Sequence, residues 1–599
     1  MAKGTFTLVL SLFSIIFITV ALIGTIIFLV EPDSDIGLLL WDVFNQTLDL
    51  GNLSSREGSI FYLGMMALAT LVGIFITSLF ISIILDGFQR RLESLRRGRS
   101  KVIETNHTLI LGYDDSLFMI VKELIEANRS LRKPVIVILS DKDSVEMNQK
   151  IKENVGEFAN TRIICRTGSI YKKQDLSMCS IENAKSVIIL ESDFNTIKSL
   201  LVVTDTEFYT KKTGHVTVLM RDKENIDVAR SIAKDKTEII YLRSAITRII
   251  TQTCLQTGLS QVYNDLFDYE GDEIYFYHQK DLAGIPFKDV IQMFDTSGVI
   301  GVFSNGKTMI KPNFDYVIKP EDQIILIDAD DSTIEITGQK QSPYLKHIVK
   351  NLHKSNIRVE TIAMVGFNEN ALEVASEFDH YLAPGSRIDF LVNSHSHIAK
   401  ILELQNKLKN IQVNVVQNET YKRNNLETFI EPSCRRVILF ANDGLSNSEK
   451  DSQTLLTLLH LRAIEETRGI SLDVISEIAD VKNADIIDLA KVDDFIISDL
   501  MANRMVAQIS ENRHLASVFE DLLDNGGSEI YLKPMEDYVE LEGDVDFYAV
   551  TAAAISHNEI AIGYQVSKQA HETFLKINPD KTKVLKFKKG DMVIVIAED

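Results

Sequence analysis

The chain is poor in basic charge. It sets 63 Lys and Arg against 84 Asp and Glu, a formal net charge of −21 over 599 residues. No basic surplus is left to neutralise phosphates, so nucleic acid is excluded as a partner. Cysteine is scarce: Cys165, Cys179, Cys254 and Cys434 stand apart, with no C-x-x-C pair. That excludes a disulfide framework and a zinc site and suits a reducing compartment. Catalytic signatures are missing as well. No G-x-S-x-G, H-E-x-x-H or P-loop occurs, so no enzyme is expected. His395 and His397 lie at i and i+2 with no cysteine nearby, a spacing that suits surface or packing roles better than a metal site.

Two long uncharged runs stand out against this background. Phe6–Val30 and Phe61–Leu85 are each 25 residues without a charge. At ~1.5 Å rise per residue each reaches ~37 Å as a helix, enough to cross a hydrocarbon core of ~30 Å. The first run exceeds the ~7–15 residues of a signal-peptide core and no small-x-small cleavage site follows, so it is read as retained. Between the runs lies Glu31–Ile60, in which Ile36–Leu48 is apolar but too short to span, the length of a re-entrant segment. That loop carries Glu31, Asp33, Asp35, Asp42, Asp49 and Glu57 against Arg56 alone, whereas Arg90, Arg91, Arg96, Arg97, Arg99 and Lys101 follow the second run. By the positive-inside rule both termini are cytoplasmic and the loop faces outward, giving a multi-pass protein in the lipid bilayer.

The remainder is duplicated. His107–Leu124 and Glu360–Phe378 each read as strand, Gly (Gly112, Gly366), polar turn and helix. Gly168–Leu176 matches Asn418–Leu426, and Leu259–Tyr275 (LSQVYNDLFDYEGDEIY) aligns without a gap on Leu515–Tyr531 (LASVFEDLLDNGGSEIY). Buried strands alternating with helical patterns imply a parallel, doubly wound α/β sheet in each copy. After each matched Glu-Ile-Tyr the texture turns β-rich, as expected of a small α+β lobe. The expected domains are therefore a pore region at 1–100, a first repeat at 101–338 and a second at 354–599. The first repeat divides into lobes of about 105–255 and 270–330, the second into lobes of about 358–510 and 527–599. Gln339–His353 is expected to link the repeats.

The strings NHTLILGYDDS, ELIEANRS, VIVILSDKDSVEM and IICRTGSIYKKQDL resemble the first ligand-sensing domain of Castor/Pollux-type ion channels. That resemblance covers most of Gly37–Asp599, and the paired lobes resemble RCK domains, regulators of K⁺ conductance related to TrkA-N. This resemblance implies a homotetramer with a cytoplasmic Rossmann-like gating ring below a two-span pore with a re-entrant pore helix. It also implies a filter of the form Asp-x-Gly-Asn, which stands here as Asp49-Leu50-Gly51-Asn52. Two spans without a long N-terminal extension suggest a prokaryotic plasma membrane rather than a nuclear envelope.

The filter region reads Thr47-Leu48-Asp49-Leu50-Gly51-Asn52 and contains no TVGYG string. Four-fold, Asp49 would offer a ring of carboxylates and Asn52 a ring of amides, which attract cations and hold hard divalents. Weak K⁺ selectivity with Ca²⁺ permeation or block is expected, with Gly73 in the second span as the gating hinge. The dinucleotide fingerprint is degraded: the second glycine position holds Asp114 in the first repeat and Asn368 in the second, so NAD is not expected. Asp114, Asp115, Asp141 and Asp143 would gather at strand carboxyl ends with Gly112, and Gly366 would mark the corresponding place in the second repeat. There they form either a cation site, with Asp114 and Asp141 on a regulatory Ca²⁺, or a rim of helix caps. A ligand-gated cation channel is the leading expectation. The alternative is a membrane-tethered regulatory subunit of a separate K⁺ transporter.

Overall fold

The computed structural model describes residues 2–32, 34–48, 58–96, 98–210, 214–233, 235–349, 359–483, 486, 489–490, 492–524, 526–567 and 573–598. It divides into two compact units, one holding Met1–Ser100 and the other nearly all of the rest.

Among the described residues, three helices make the first unit: α1 (Ala2–Val30), α2 (Ile36–Leu48) and α3 (Ile60–Arg96). Leu10–Val30 and Ile60–Asp86 are long and apolar enough to cross a membrane. Neither is the core helix of a soluble fold, because Phe17, Leu22, Leu71 and Phe75 face outward. The inward faces follow helical spacing. Ile16, Val20, Ile23 and Ile27 of α1 meet Leu39 and Val43 of α2 and Met66, Ala69 and Ile76 of α3. The 13 residues of α2 reach only ~20 Å at ~1.5 Å each, well short of a ~30 Å hydrocarbon core.

The second unit contains the duplication as two copies of one topology. Strands β1 (His107–Gly112), β2 (Val135–Ser140), β3 (Arg162–Thr167), β4 (Ala184–Leu190), β5 (His215–Met220) and β6 (Thr237–Tyr241) form a sheet in the order β3-β2-β1-β4-β5-β6. All its pairs are parallel. This is the doubly wound order, whose ligand crevice opens where the order reverses beside β1. A four-stranded antiparallel sheet follows, β7 (Glu273–Tyr277), β8 (Gly298–Ser304), β9 (Lys307–Ile310) and β10 (Gln323–Asp328), ordered β7-β10-β8-β9.

In the second copy β11 (Thr361–Val365), β12 (Arg387–Val392), β13 (Gln412–Gln417), β14 (Arg436–Leu439), β15 (Asp473–Ile478) and β16 (Asp494–Ile497) repeat the parallel order. The antiparallel sheet recurs as β17 (Glu529–Pro534), β19 (Ile560–Ser567), β20 (Thr573–Ile577) and β22 (Met592–Ala597), ordered β17-β22-β19-β20. The two-stranded pair β18 (Val545–Asp546) and β21 (Val584–Leu585) lies apart. Even the irregularities match. A bulge falls beside Gly301 in one antiparallel sheet and beside Gly563 in the other, each glycine backed onto a neighbouring carbonyl that a Cβ would approach to 2.5 Å.

The two copies share one core. Ile110, Leu124 and Phe267 belong to the same buried cluster as Phe367, Phe378 and Phe519, and Phe267 meets Phe519 edge-to-face at 4.9 Å. The stretch after the first repeat is pinned to both: Lys340 pairs with Asp295 of the first, while Ser342 Oγ donates to Asp546 Oδ1 of the second at 2.6 Å.

Candidate functional site

In the membrane unit the carboxyl end of α2 is held against α3. Gln46 and Thr47 are buried, Gln46 Nε2 donates to Thr70 Oγ1 at 2.8 Å, and Thr47 Oγ1 donates back to the Val43 carbonyl at 2.7 Å. Gly73 lies directly behind this end: a Cβ there would stand 2.2 Å from the Thr47 carbonyl oxygen. α3 runs unbroken through Gly73, so the glycine serves close approach of two backbones in this conformation. Tyr62 OH donates to Asp42 Oδ2 at 3.3 Å. Asp49, Gly51 and Asn52 lie outside the described residues.

In the second unit each doubly wound sheet presents its crevice differently. Gly112 has φ +109° and Gly366 φ +89°, and a Cβ would sit 2.1 Å from the Leu190 carbonyl oxygen and 2.3 Å from that of Phe440. Both glycines are required by the approach of the neighbouring strand, independent of any phosphate. Beyond them the helix starts are capped from within. Asp114 Oδ1 accepts from Ser116 N at 3.0 Å, and Asn368 Oδ1 accepts from the amides of Asn370 and Ala371 at 3.0 and 3.3 Å. The N–H groups that would cradle a pyrophosphate already hold a side chain.

Around the first crevice, burial raises the Asp114 carboxyl above its usual range, with Arg221 opposing. Burial also raises Glu191, helped by Asp141 and Asp114. Asp115 and Asp141 are exposed, and Asp143 accepts from Val145 N at 2.9 Å as a helix cap. Among the described residues no group of three His, Cys, Asp or Glu side chains is close enough to hold a metal ion.

The second crevice holds a cleft of about 550 Å³ lined by Asn368, Asp443, Lys450 and Glu477, with Arg221 and Arg243 reaching over from the first repeat. Fully buried Glu477 accepts from Asn370 Nδ2 and Ser498 Oγ, both at 3.0 Å, and from Asn368 Nδ2. Burial nonetheless raises its carboxyl. Arg243 pairs with Glu369 across the repeats. Sequence reasoning missed Glu477, Arg221 and Arg243. The one local signal for Glu477 is an acid near the carboxyl end of a strand, DVISEI, whereas the two arginines reach the cleft only through the packing of the repeats.

The repeats grip each other reciprocally. Arg504 of the second repeat reaches Glu123 (Nε–Oε1 3.2 Å) and Asp268 of the first. Its counterpart Arg248, at the matching place in the first repeat, reaches Asp524 of the second at 2.8 Å and lies beside Glu377. All four cysteines are buried, and burial holds their thiols up at about 11 to 12.

Comparison with known proteins agrees with this duplication. A family model described as Castor and Pollux, part of voltage-gated ion channel, matches twice, at residues 243–343 and 499–599. A calcium-activated potassium channel slowpoke-like RCK domain model matches residues 104–239. The probable ion channel POLLUX of Arabidopsis thaliana is 28% identical over 98% of this chain and 76% of its own length. The ion channel CASTOR of Lotus japonicus is 26% identical over 94% of this chain and 70% of its own. The chain spans between 62% and 76% of the length of such plant relatives. The human SLO3 gating ring superposes with a TM-score of 0.60 at 13% identity, over 82% of this chain and 99% of that structure, a likeness of fold.

Proposed function

We propose, from the premise that this chain is a relative of the Castor and Pollux ion channels carrying tandem RCK domains, that it forms a homotetrameric cation channel gated by a cytoplasmic ring. The observation that carries this reading is α2. A membrane tether needs only spanning helices, yet here a 13-residue apolar helix is clamped between two of them, its carboxyl end backed by Gly73. The carboxyl end of a helix carries partial negative charge, and Asp49 follows it directly in sequence. In a four-fold assembly those ends and carboxylates would converge on one axis and draw cations in. Thr47 would hold the helix end, while Asp49, Gly51 and Asn52 would line the narrow part. Weak K⁺ over Na⁺ discrimination with Ca²⁺ passage or block follows, because carboxylate rings select by charge more than by fit. Gly73 would serve as the hinge only if the contact with Thr47 opens.

The ligand clefts are those at Gly112 and Gly366. The self-capped helix starts at Asp114 and Asn368 disfavour NAD bound through its pyrophosphate. For Ca²⁺ to be the gating ligand, Asp114 and Asp141 would need further oxygen donors, such as carbonyls or water, since no group of three His, Cys, Asp or Glu side chains gathers among the described residues. Asp115 and Asp143 would then belong to the rim. A prokaryotic plasma membrane with both termini inside fits the charge pattern.

Planar-bilayer recording of the purified chain tests the proposal. Unitary cation currents are expected, with a reversal potential under K⁺/Ca²⁺ gradients that shifts in Asp49→Asn. Silence of correctly inserted protein, together with full activity after deletion of Ile36–Asn52 in a transporter assay, would instead establish a tethered regulatory subunit.

A further inference from the structure

The two repeats are not equal at one buried place. Extending the gapless match through the preceding helices, Leu242–Leu255 and Ser498–Glu511, sets Gln252 opposite Gln508 and Glu273 opposite Glu529. It also sets Tyr263 opposite Phe519. The last residues of the helices Ser116–Ala127 and Glu369–Tyr381 set Ala127 opposite Tyr381.

Where Gln252 meets Glu529 the site is full. Gln252 Nε2 donates to Glu529 Oε1 at 2.6 Å, Tyr263 OH donates to Gln252 Oε1, and Tyr381 OH donates to Glu529. Tyr531 OH completes the other carboxylate oxygen at 2.7 Å. Where Gln508 and Glu273 line the corresponding place, the two donating hydroxyls are gone, one lost to Phe519 and the other to Ala127. A cleft of about 370 Å³ stands in their place, lined by Ala127, Glu273, Gln508, Tyr269, Tyr275 and Asp331, among others. Gln508 is 1% exposed, and its Nε2 donates to the Leu266 carbonyl at 3.2 Å, which fixes the amide and leaves Oε1 without a partner. An unpaired buried acceptor is costly and asks for a donor.

We propose that this cleft binds a small organic ammonium ion whose N–H groups supply the Glu273 carboxylate and Gln508 Oε1 with the donors that the Tyr381 and Tyr263 hydroxyls give Glu529 and Gln252 in the other half. Charge selects an ammonium over a neutral hydroxyl. The cleft is lined by Glu273, Asp331 and Glu511 and by no Lys or Arg; His278, also in its wall, is hydrogen-bonded through Nδ1 to the Asp322 carbonyl, and Glu511 is already paired with Lys185 at 2.5 Å. Burial first, opposed by a hydrogen bond from Tyr275 and reinforced by Asp330, Asp331 and Glu511, pushes the Glu273 carboxyl up to about 7, as befits a carboxylate short of positive charge. Size selects an organic cation over a bare ion: the cleft has small-molecule dimensions, and no three-donor metal group exists among the described residues. The Tyr269 and Tyr275 rings add faces that attract cations. Because the walls come from β7 of one repeat and the helix Ser498–Glu511 of the other, the ligand would tie the repeats together.

The test is calorimetry on the full chain in detergent, titrated separately with tyramine, 1,4-diaminobutane and CaCl₂. Binding is read without current, so its outcome is separate from whether the chain conducts. An amine is expected to bind, roughly tenfold or more weaker in Glu273→Gln, the loss of one charge-assisted hydrogen bond. Ala127→Tyr, which restores the side chain present in the matching site, is expected to abolish binding while raising the melting temperature. Absence of heat with both amines would overturn the proposal, as would amine binding unchanged in Ala127→Tyr. Ca²⁺ heat that disappears in Glu273→Gln, with no amine heat, would show a metal site and overturn it equally. Should Glu273→Gln fail to fold, exposed Asp331→Asn supplies the charge test, and unchanged affinity there together with an unaffected Ala127→Tyr counts against the ammonium.

Discussion

Gly73, Gly112 and Gly366 show how much one missing Cβ carries. At Gly73 a methyl group would have to share space with the Thr47 carbonyl at 2.2 Å, and the obstacle is backbone, which cannot rotate aside. Gly73→Ala is expected to push α3 from α2, costing about 1–3 kcal/mol as overpacking does, and to remove or sharply reduce current. A melting curve in detergent beside bilayer recording checks this; unchanged values in both would mean the helices part freely. Gly366→Ala adds the strain of a positive φ to a 2.3 Å approach and should lower the denaturant midpoint. The buried cysteines lead to a simpler expectation. With thiols held up at about 11 to 12, none should react with a thiol reagent until denaturant is added. Rapid labelling of the native protein would contradict the burial.

Among the elements, the helices Leu242–Leu255 and Ser498–Glu511 decide how the repeats join. Each sends an arginine into the other repeat, and Arg504 ends where Glu123 is 6% exposed. Removing one partner of such a pair leaves a buried carboxylate uncompensated. Arg504→Ala is therefore expected to destabilise by about 3–5 kcal/mol, read as a lower urea midpoint of the full chain. Arg248→Ala should act in the same direction but less, because Asp524 is 41% exposed and solvent screens the loss. Equal or negligible effects would mean that the arginines do not hold the repeats. The gapless match of LSQVYNDLFDYEGDEIY with LASVFEDLLDNGGSEIY made these elements legible as a repeated pair. Their crossing was not legible, because a repeat seen in sequence does not say whether each copy packs on itself or on its twin.

For the molecule as a whole, pH should act through buried carboxyls. Burial pushes Asp494 up to about 7 despite hydrogen bonds from Gly258 and Ser260, and Glu273 likewise to about 7. A carboxyl whose folded pKa lies above its unfolded value is protonated more readily when folded. Its favourable contribution is present at low pH and is lost as pH rises from about 4 through about 7. Asp494→Asn keeps an acceptor for Gly258 N and removes the titration. The variant's melting temperature should therefore fall less than the parent's between pH 5 and pH 7.5, and identical slopes would show that Asp494 does not titrate there.

Hydropathy along the chain determined the two long apolar helices and the short helix between them, because such runs are set by local composition summed over some twenty residues. The duplicated strings determined that two doubly wound sheets exist, and the sequence alone shows that Asp114 and Asn368 stand where a dinucleotide fingerprint has its second glycine. Tertiary structure alone decided that the repeats exchange their arginines, that Arg221 and Arg243 reach across to the cleft at Asn368, and that Gly73 touches Thr47. It also decided that Ala127 and Phe519 leave open what Tyr381 and Tyr263 fill. These depend on residues hundreds of positions apart meeting in one core, where fit and unpaired polar atoms are set by three-dimensional neighbours that no local window contains.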